Sequence, residues 1–116
     1  MRRSFFQSFY YAFHGLIYCF KTQRNIRVHV VAAVCAYGIG RYLGLGSVEM
    51  AALFFAIGLV FVAEILNTAI EKVVDMVSPH YHPLAKIAKD AAAGAVLAAA
   101  ITALAVGYYL FFSRLY

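Results

Sequence analysis

The sequence predicts an all-α integral membrane protein, with an N-terminal amphipathic helix on the membrane surface followed by three transmembrane helices. Three observations carry that prediction. Hydrophobic residues make up 65% of the 116-residue chain and charged residues 13%, against roughly 45–50% and 25% in soluble domains. The apolar residues gather into three long runs, each able to supply the ~20 residues that a bilayer crossing requires. The basic residues cluster beside particular ends of those runs. A soluble domain of this size could not hide so much apolar surface, and the length allows one domain, residues 1–116.

The surface helix is expected over about residues 4–21. Phe5, Phe9, Phe13, Leu16 and Phe20 recur three or four apart, while Ser4, Gln7, Ser8 and His14 occupy other faces. Arg2, Arg3, Lys21, Arg24 and Arg27 flank the segment, the pattern of a helix lying in the membrane interface. A soluble amphipathic helix packed on a partner has the same periodicity, but the apolar remainder of the chain favours the interface. Without a small-residue cleavage pattern, the stretch does not read as a removed signal peptide.

The first span is expected over about 28–46, "VHVVAAVCAYGIGRYLGLG", uncharged until Arg41. The second, over about 48–77, opens with "VEMAALFFAIGLVFVAEILNTAI". The third, over about 86–112, has its apolar part in "AAAGAVLAAAITALAVGYYLFF". Ser78-Pro79 and Pro83 mark the turn before it. Five basic residues precede the first span, and Lys72, Lys86 and Lys89 lie between the second and third; Arg41 and Arg114 fall on the other side. The positive-inside rule therefore places the N-terminus and the 72–90 connection in the cytoplasm and the C-terminus outside. Tyr108, Tyr109, Phe111, Phe112 and Tyr116 would form the outer aromatic belt. Cys19 and Cys35, outside any metal-ligand spacing, read as buried, unreactive thiols.

One stretch resists the membrane reading. "AEILNTAIEKVVD", residues 63–75, continues an apolar run yet carries Glu64, Glu71 and Asp75. At ~100° per residue, positions 64, 67, 71 and 75 fall within about 60–80° of one another, so Glu64, Asn67, Glu71 and Asp75 make one polar stripe about 16 Å long. Ionisable groups at membrane depth cost about 2.5–3.5 kcal/mol each, so the stripe must face protein, ions or water. It is either a salt-bridged helix contact with Lys72, Lys86 or Lys89, or a cation site. Hard oxygen ligands suit Mg²⁺ bound together with substrate phosphates, and "AKD" (Ala88-Lys89-Asp90) offers a lysine at the same depth. No GxxxxGK[ST] or GxGxxG occurs, which excludes a soluble-type nucleotide fold. His80, Tyr81 and His82 sit in the intervening turn, as an ordinary polar turn, a contact for a base or ribose, or a weak metal site. Gly38, Gly58, Ala91, Ala92 and Gly94 could line a groove for a long lipid chain or serve close helix packing.

"AEILNTAIEKVVDMVSPHYHPLAKIAKDAAAGAV" resembles the signature of the prokaryotic diacylglycerol kinase family, in particular its Gram-positive-type branch of undecaprenol kinases. The similarity runs from about Phe5 to the end of the third span. It implies a homotrimer in the bacterial inner (cytoplasmic) membrane, with active sites shared between subunits at the cytoplasmic boundary. The implied reaction is Mg²⁺-dependent transfer of the ATP γ-phosphate to a lipid alcohol, undecaprenol or diacylglycerol. The implied partners are membrane lipids, that substrate and further copies of the chain, with no nucleic acid. Carried over by position, Glu64 is the general base and Glu71 a metal ligand. Asn67 and Asp75 join the substrate and catalytic cluster, and Glu71, Lys89, Asp90, His80, Tyr81, His82, Tyr11 and Gln23 surround the nucleotide.

Two positions depart from the family pattern. In "KTQRNIRVH", Gln23 stands where the family has a glutamate that is its second metal ligand; a glutamine carbonyl can ligate Mg²⁺ but brings no charge. His80 stands where the turn more often has an acid. The alternatives are therefore a membrane proton or ion carrier, with the stripe as its relay, and a family member impaired at Gln23.

Overall fold

A computed structural model describes residues 3–115. Arg2 and Tyr116, assigned above to the basic flank and the aromatic belt, lie outside the described residues. The described chain is helical: α1 (Phe5–Thr22), α2 (Arg24–Tyr42), α3 (Ser47–Val77) and α4 (Pro83–Leu115). Ser4 starts α1 through a reciprocal cap, its hydroxyl accepting from the Gln7 N–H at 3.2 Å while the Gln7 side chain accepts from the Ser4 N–H at 2.9 Å. The chain then breaks for one residue at extended Gln23.

α2 ends because Gly44 adopts a left-handed conformation, φ +74°, and the Leu45 N–H returns to the Gly40 carbonyl at 3.0 Å. Residues 43–46, expected within the first span, form this turn instead. From Val28 to the end of α2 is roughly 15 residues, or about 22 Å of helix, short of the ~30 Å hydrocarbon core. Among the described residues two helices, α3 and α4, are long and apolar enough to cross a membrane. With 31 and 33 residues they measure about 46 and 50 Å. Both are longer than the ~30 Å hydrocarbon core of a bilayer is thick.

α3 and α4 run antiparallel, fastened at both ends. Glu49 near the start of α3 pairs with Arg114 near the end of α4, whereas Asp75 near the end of α3 pairs with Lys89 early in α4. Between these clamps Leu53, Ala56, Val60, Glu64 and Thr68 make one buried seam on α3, and the small residues Ala92 and Ala99 are buried on α4. Small side chains let the two backbones approach.

The first two helices are held more sparingly. Cys19 and Ile26 are buried where α1 meets α2, and Lys72 of α3 lies 5.6 Å from the centre of the Tyr18 ring. Cys35, expected to be buried, is exposed, because it lies on a part of α2 with no helix packed over it. The small residues also sort differently from expectation. A Cβ added at Gly38, Gly58 or Gly94 would meet nothing within 4 Å, whereas one at Gly40 would come within 3.0 Å of the Met50 sulfur. Close packing within the chain therefore falls at Gly40 and Ala92.

Candidate functional site

Helical geometry puts Glu64, Asn67, Glu71 and Asp75 along one side of α3, and packing divides them. Glu64 is 3% exposed, because it shares the seam that α3 presents to its neighbours. Asn67 and Glu71, one turn apart, join through Asn67 Nδ2, which donates to Glu71 Oε1 at 3.2 Å. Asp75 is exposed and reaches across to Lys89 Nζ at 2.5 Å. The stripe thus grades from a dry carboxylate to a wet ion pair within three turns.

Two further residues belong to this environment. Thr68, 3% exposed, donates its hydroxyl to the Glu64 backbone carbonyl at 3.0 Å. His29 of α2 places Nε2 3.4 Å from Glu64 Oε1. Sequence reasoning passed over both. The available signal for Thr68 was its place one turn beyond Glu64; for His29 it was a lone ionisable ring in an apolar run.

The turn between α3 and α4 borders a cavity of about 400 Å³, lined among others by Asp75, His80, Tyr81, His82, Lys89 and Asp90. His82 also has a local role, its Nδ1 accepting from the Leu84 N–H at 3.1 Å to cap α4 ahead of Pro83. Ser78 donates to the His80 carbonyl at 2.9 Å. Lys86 Nζ lies 2.6 Å from Asp90. Both lysines on this wall are therefore held by carboxylates, and an arriving phosphate would exchange one anionic partner for another.

Two residues assigned to the nucleotide do not reach this cavity within one chain. Tyr11 stays on α1, with the Arg3 guanidinium 4.3 Å from its ring centre, and α1 packs on α2 and α3 but not on α4. Gln23 turns its amide to Thr22 Oγ1 at 3.4 Å rather than to Glu71.

The donor set can be tested against a divalent cation. Among the described residues no group of three His, Cys, Asp or Glu side chains converges as a complete metal site. However, Asn67 Oδ1 is buried without a hydrogen-bond partner, beside the Glu71 carboxylate. A buried carbonyl without a partner costs about 1–3 kcal/mol. Because Nδ2 is the arm turned to Glu71, the two oxygens do not converge as placed; their hard-oxygen chemistry is nevertheless the kind that suits Mg²⁺ completed by substrate phosphates.

Above Glu64, an apolar cleft of about 620 Å³ opens between α2, α3 and α4, with His29 at one end and Leu53, Val60, Ala100 and Phe111 among its walls. It does not use Gly38, Gly58 or Gly94.

Comparison with known proteins finds relatives along most of the chain. Residues 10–111 match the model of the prokaryotic diacylglycerol kinase family. A diacylglycerol kinase of Synechocystis sp. is 50% identical over 101 residues, covering 86% of this chain and 58% of the relative; the chain therefore spans little more than half of that protein. An undecaprenol kinase of Bacillus subtilis is 41% identical over 111 residues, 96% of this chain and 90% of the relative. A diacylglycerol kinase of Escherichia coli K12 is 35% identical over 104 residues, 90% of this chain and 85% of the relative.

Proposed function

We propose that this chain, which belongs to the prokaryotic diacylglycerol kinase family, is a membrane lipid kinase that transfers the ATP γ-phosphate to a lipid alcohol. Undecaprenol is the preferred acceptor and diacylglycerol the second. The observation that carries this reading is the gradient along α3: a buried carboxylate at Glu64, a hydrogen-bonded Asn67–Glu71 pair, and a lysine-bearing cavity beyond them.

Each position suits one part of the reaction. The nucleotide occupies the cavity at the α3–α4 turn, where Lys89 and Lys86 supply cations for its phosphates and Tyr81 an exposed ring for the base. Mg²⁺ held by Glu71 and Asn67 Oδ1, when bound, supplies neutralisation of phosphate charge; Gln23 is a weaker ligand arriving from another surface. The lipid hydroxyl comes to Glu64 from the bilayer side, with its chain along the apolar cleft. Its oxygen bonds to the γ-phosphorus as the bond to the ADP oxygen breaks, and Glu64 takes the hydroxyl proton. Phosphoryl transfer depends chiefly on positioning and charge neutralisation, which this arrangement offers.

The same reading sets the architecture. α1 lies in the interface, and α2 together with the 43–46 turn crosses as the first of three spans, with partner helices covering its exposed faces. The N-terminus and the α3–α4 turn are cytoplasmic, the C-terminus is outside, and the bacterial inner membrane is the host. Three copies assemble, which brings Tyr11 and Gln23 of one subunit to the cavity of another.

The experiment is phosphorylation of undecaprenol and diacylglycerol in mixed micelles with ATP and Mg²⁺, set beside ion flux in proteoliposomes. Phosphorylated lipid that requires both ATP and Mg²⁺ is expected. Flux without nucleotide, combined with no product from either lipid, replaces the kinase with a carrier.

A further inference from the structure

We propose that His29 is the positioning residue of the Glu64 carboxylate, holding one of its oxygens so that the other faces the acceptor hydroxyl. This rests on the lipid-kinase reading. Glu64 is almost wholly buried, and among the described residues His29 is the one side chain that pairs with its carboxylate, Nε2 to Oε1 at 3.4 Å. Thr68 touches only the Glu64 backbone. A buried carboxylate with one partner takes its orientation from that partner.

The imidazole is itself held. Its ring meets Phe61 edge-on, with centroids 6.4 Å apart and planes at 73°. Phe61 lies one turn before Glu64 on α3, so the two side chains form a slot that receives the ring from α2. Ile26, buried one turn earlier on α2, anchors the strand of side chains that delivers it. His29 stands at the end of the apolar cleft, and its side chain is 26% exposed. It therefore touches both the carboxylate and the space from which a lipid hydroxyl arrives. At 3.4 Å the approach is longer than a formed hydrogen bond; catalytic hydrogen bonds are often long before substrate binds and tighten in the loaded complex. With Oε1 occupied by the imidazole N–H, Oε2 is left to accept the hydroxyl proton.

The test uses the full chain in mixed micelles with undecaprenol, diacylglycerol and Mg-ATP. His29→Phe keeps a ring for Phe61 but removes both nitrogens. A mispositioned base costs about 100-fold in kcat, so His29→Phe should lose about that much while the KM for ATP changes less than about twofold. His29→Gln, which restores an N–H donor, should recover to within about tenfold of the unaltered chain. In a Glu64→Gln background, His29→Phe should bring no further loss, because the group it orients is gone. The proposal is overturned by a kcat for His29→Phe within about threefold of the unaltered chain, by a His29→Gln as impaired as His29→Phe, or by a further loss in the Glu64→Gln background. Thermal unfolding of each variant separates lost function from lost fold; if His29→Phe fails to fold, the His29→Gln measurement and its Glu64→Gln double variant decide. No phosphorylation of either lipid by the unaltered chain refutes the kinase reading itself, whereas an active enzyme indifferent to His29 refutes this inference alone.

Discussion

Replacing Glu64 with glutamine should move stability and catalysis in opposite directions. The carboxylate is 3% exposed and pairs with one side chain at 3.4 Å. A carboxylate at membrane depth costs about 2.5–3.5 kcal/mol. The amide has nearly the same volume and still offers an oxygen to His29, so what is lost is the charge-assisted part of that contact, about 1 kcal/mol. The balance favours the variant by about 2 kcal/mol, the difference between those two figures. Thermal unfolding in detergent, followed by near-ultraviolet circular dichroism, should show a higher midpoint for Glu64→Gln. Phosphorylation should fall about 10²- to 10⁴-fold in kcat, the usual contribution of a general base, with the KM for ATP little changed. A variant that unfolds earlier than the parent would show that the carboxylate stabilises the fold. One that keeps kcat within about tenfold would remove Glu64 from the role of base.

Other substitutions probe separate parts of the site. Gln23→Glu should lower the Mg²⁺ concentration for half-maximal activity by about tenfold, one charged ligand being worth more than one amide; a magnesium titration with unchanged midpoint would remove position 23 from the metal. Lys89→Met should raise the KM for ATP by about tenfold or more through loss of a phosphate cation, and should leave exposed Asp75 without its partner. Arg114→Ala, at the far end of the α3–α4 pair, should shift the unfolding midpoint little, because exposed ion pairs contribute little, and leave both KM values as they were; a fall in activity would tie that end of the hairpin to the site.

Much of this molecule can be read from one dimension. The helical class follows from apolar runs far too long for strands, and the α3–α4 turn from Ser78, Pro79 and Pro83. Glu64, Asn67, Glu71 and Asp75 fall on one side of α3 because periodicity within a helix is a local property. What escaped depends on other helices. Residues 43–46 left the first span because Gly44 adopts a conformation that a hydropathy pattern does not register. Cys35 read as buried because composition says nothing about which faces lack a neighbour. His29 lies on a different helix from Glu64, and no spacing rule links them; only packing against Phe61 does. Asn67 Oδ1 was visible as a polar atom, but its lack of a partner exists only in three dimensions.

The division of the chain into a clamped α3–α4 pair and a sparsely held α1–α2 pair has a consequence for the membrane around it. Glu64 rides on a helix longer than the hydrocarbon is thick, fixed in depth by its own charged ends. On the proposed architecture, His29 rides on α2 directly after a helix held at the height of the headgroup layer. Bilayer thickness would then set the vertical offset between the two groups, at a cost of fractions of a kcal/mol per ångström of mismatch. Acyl chain length in the host membrane becomes a variable of the active site, and turnover in nanodiscs of graded thickness should pass through an optimum where histidine and carboxylate come level.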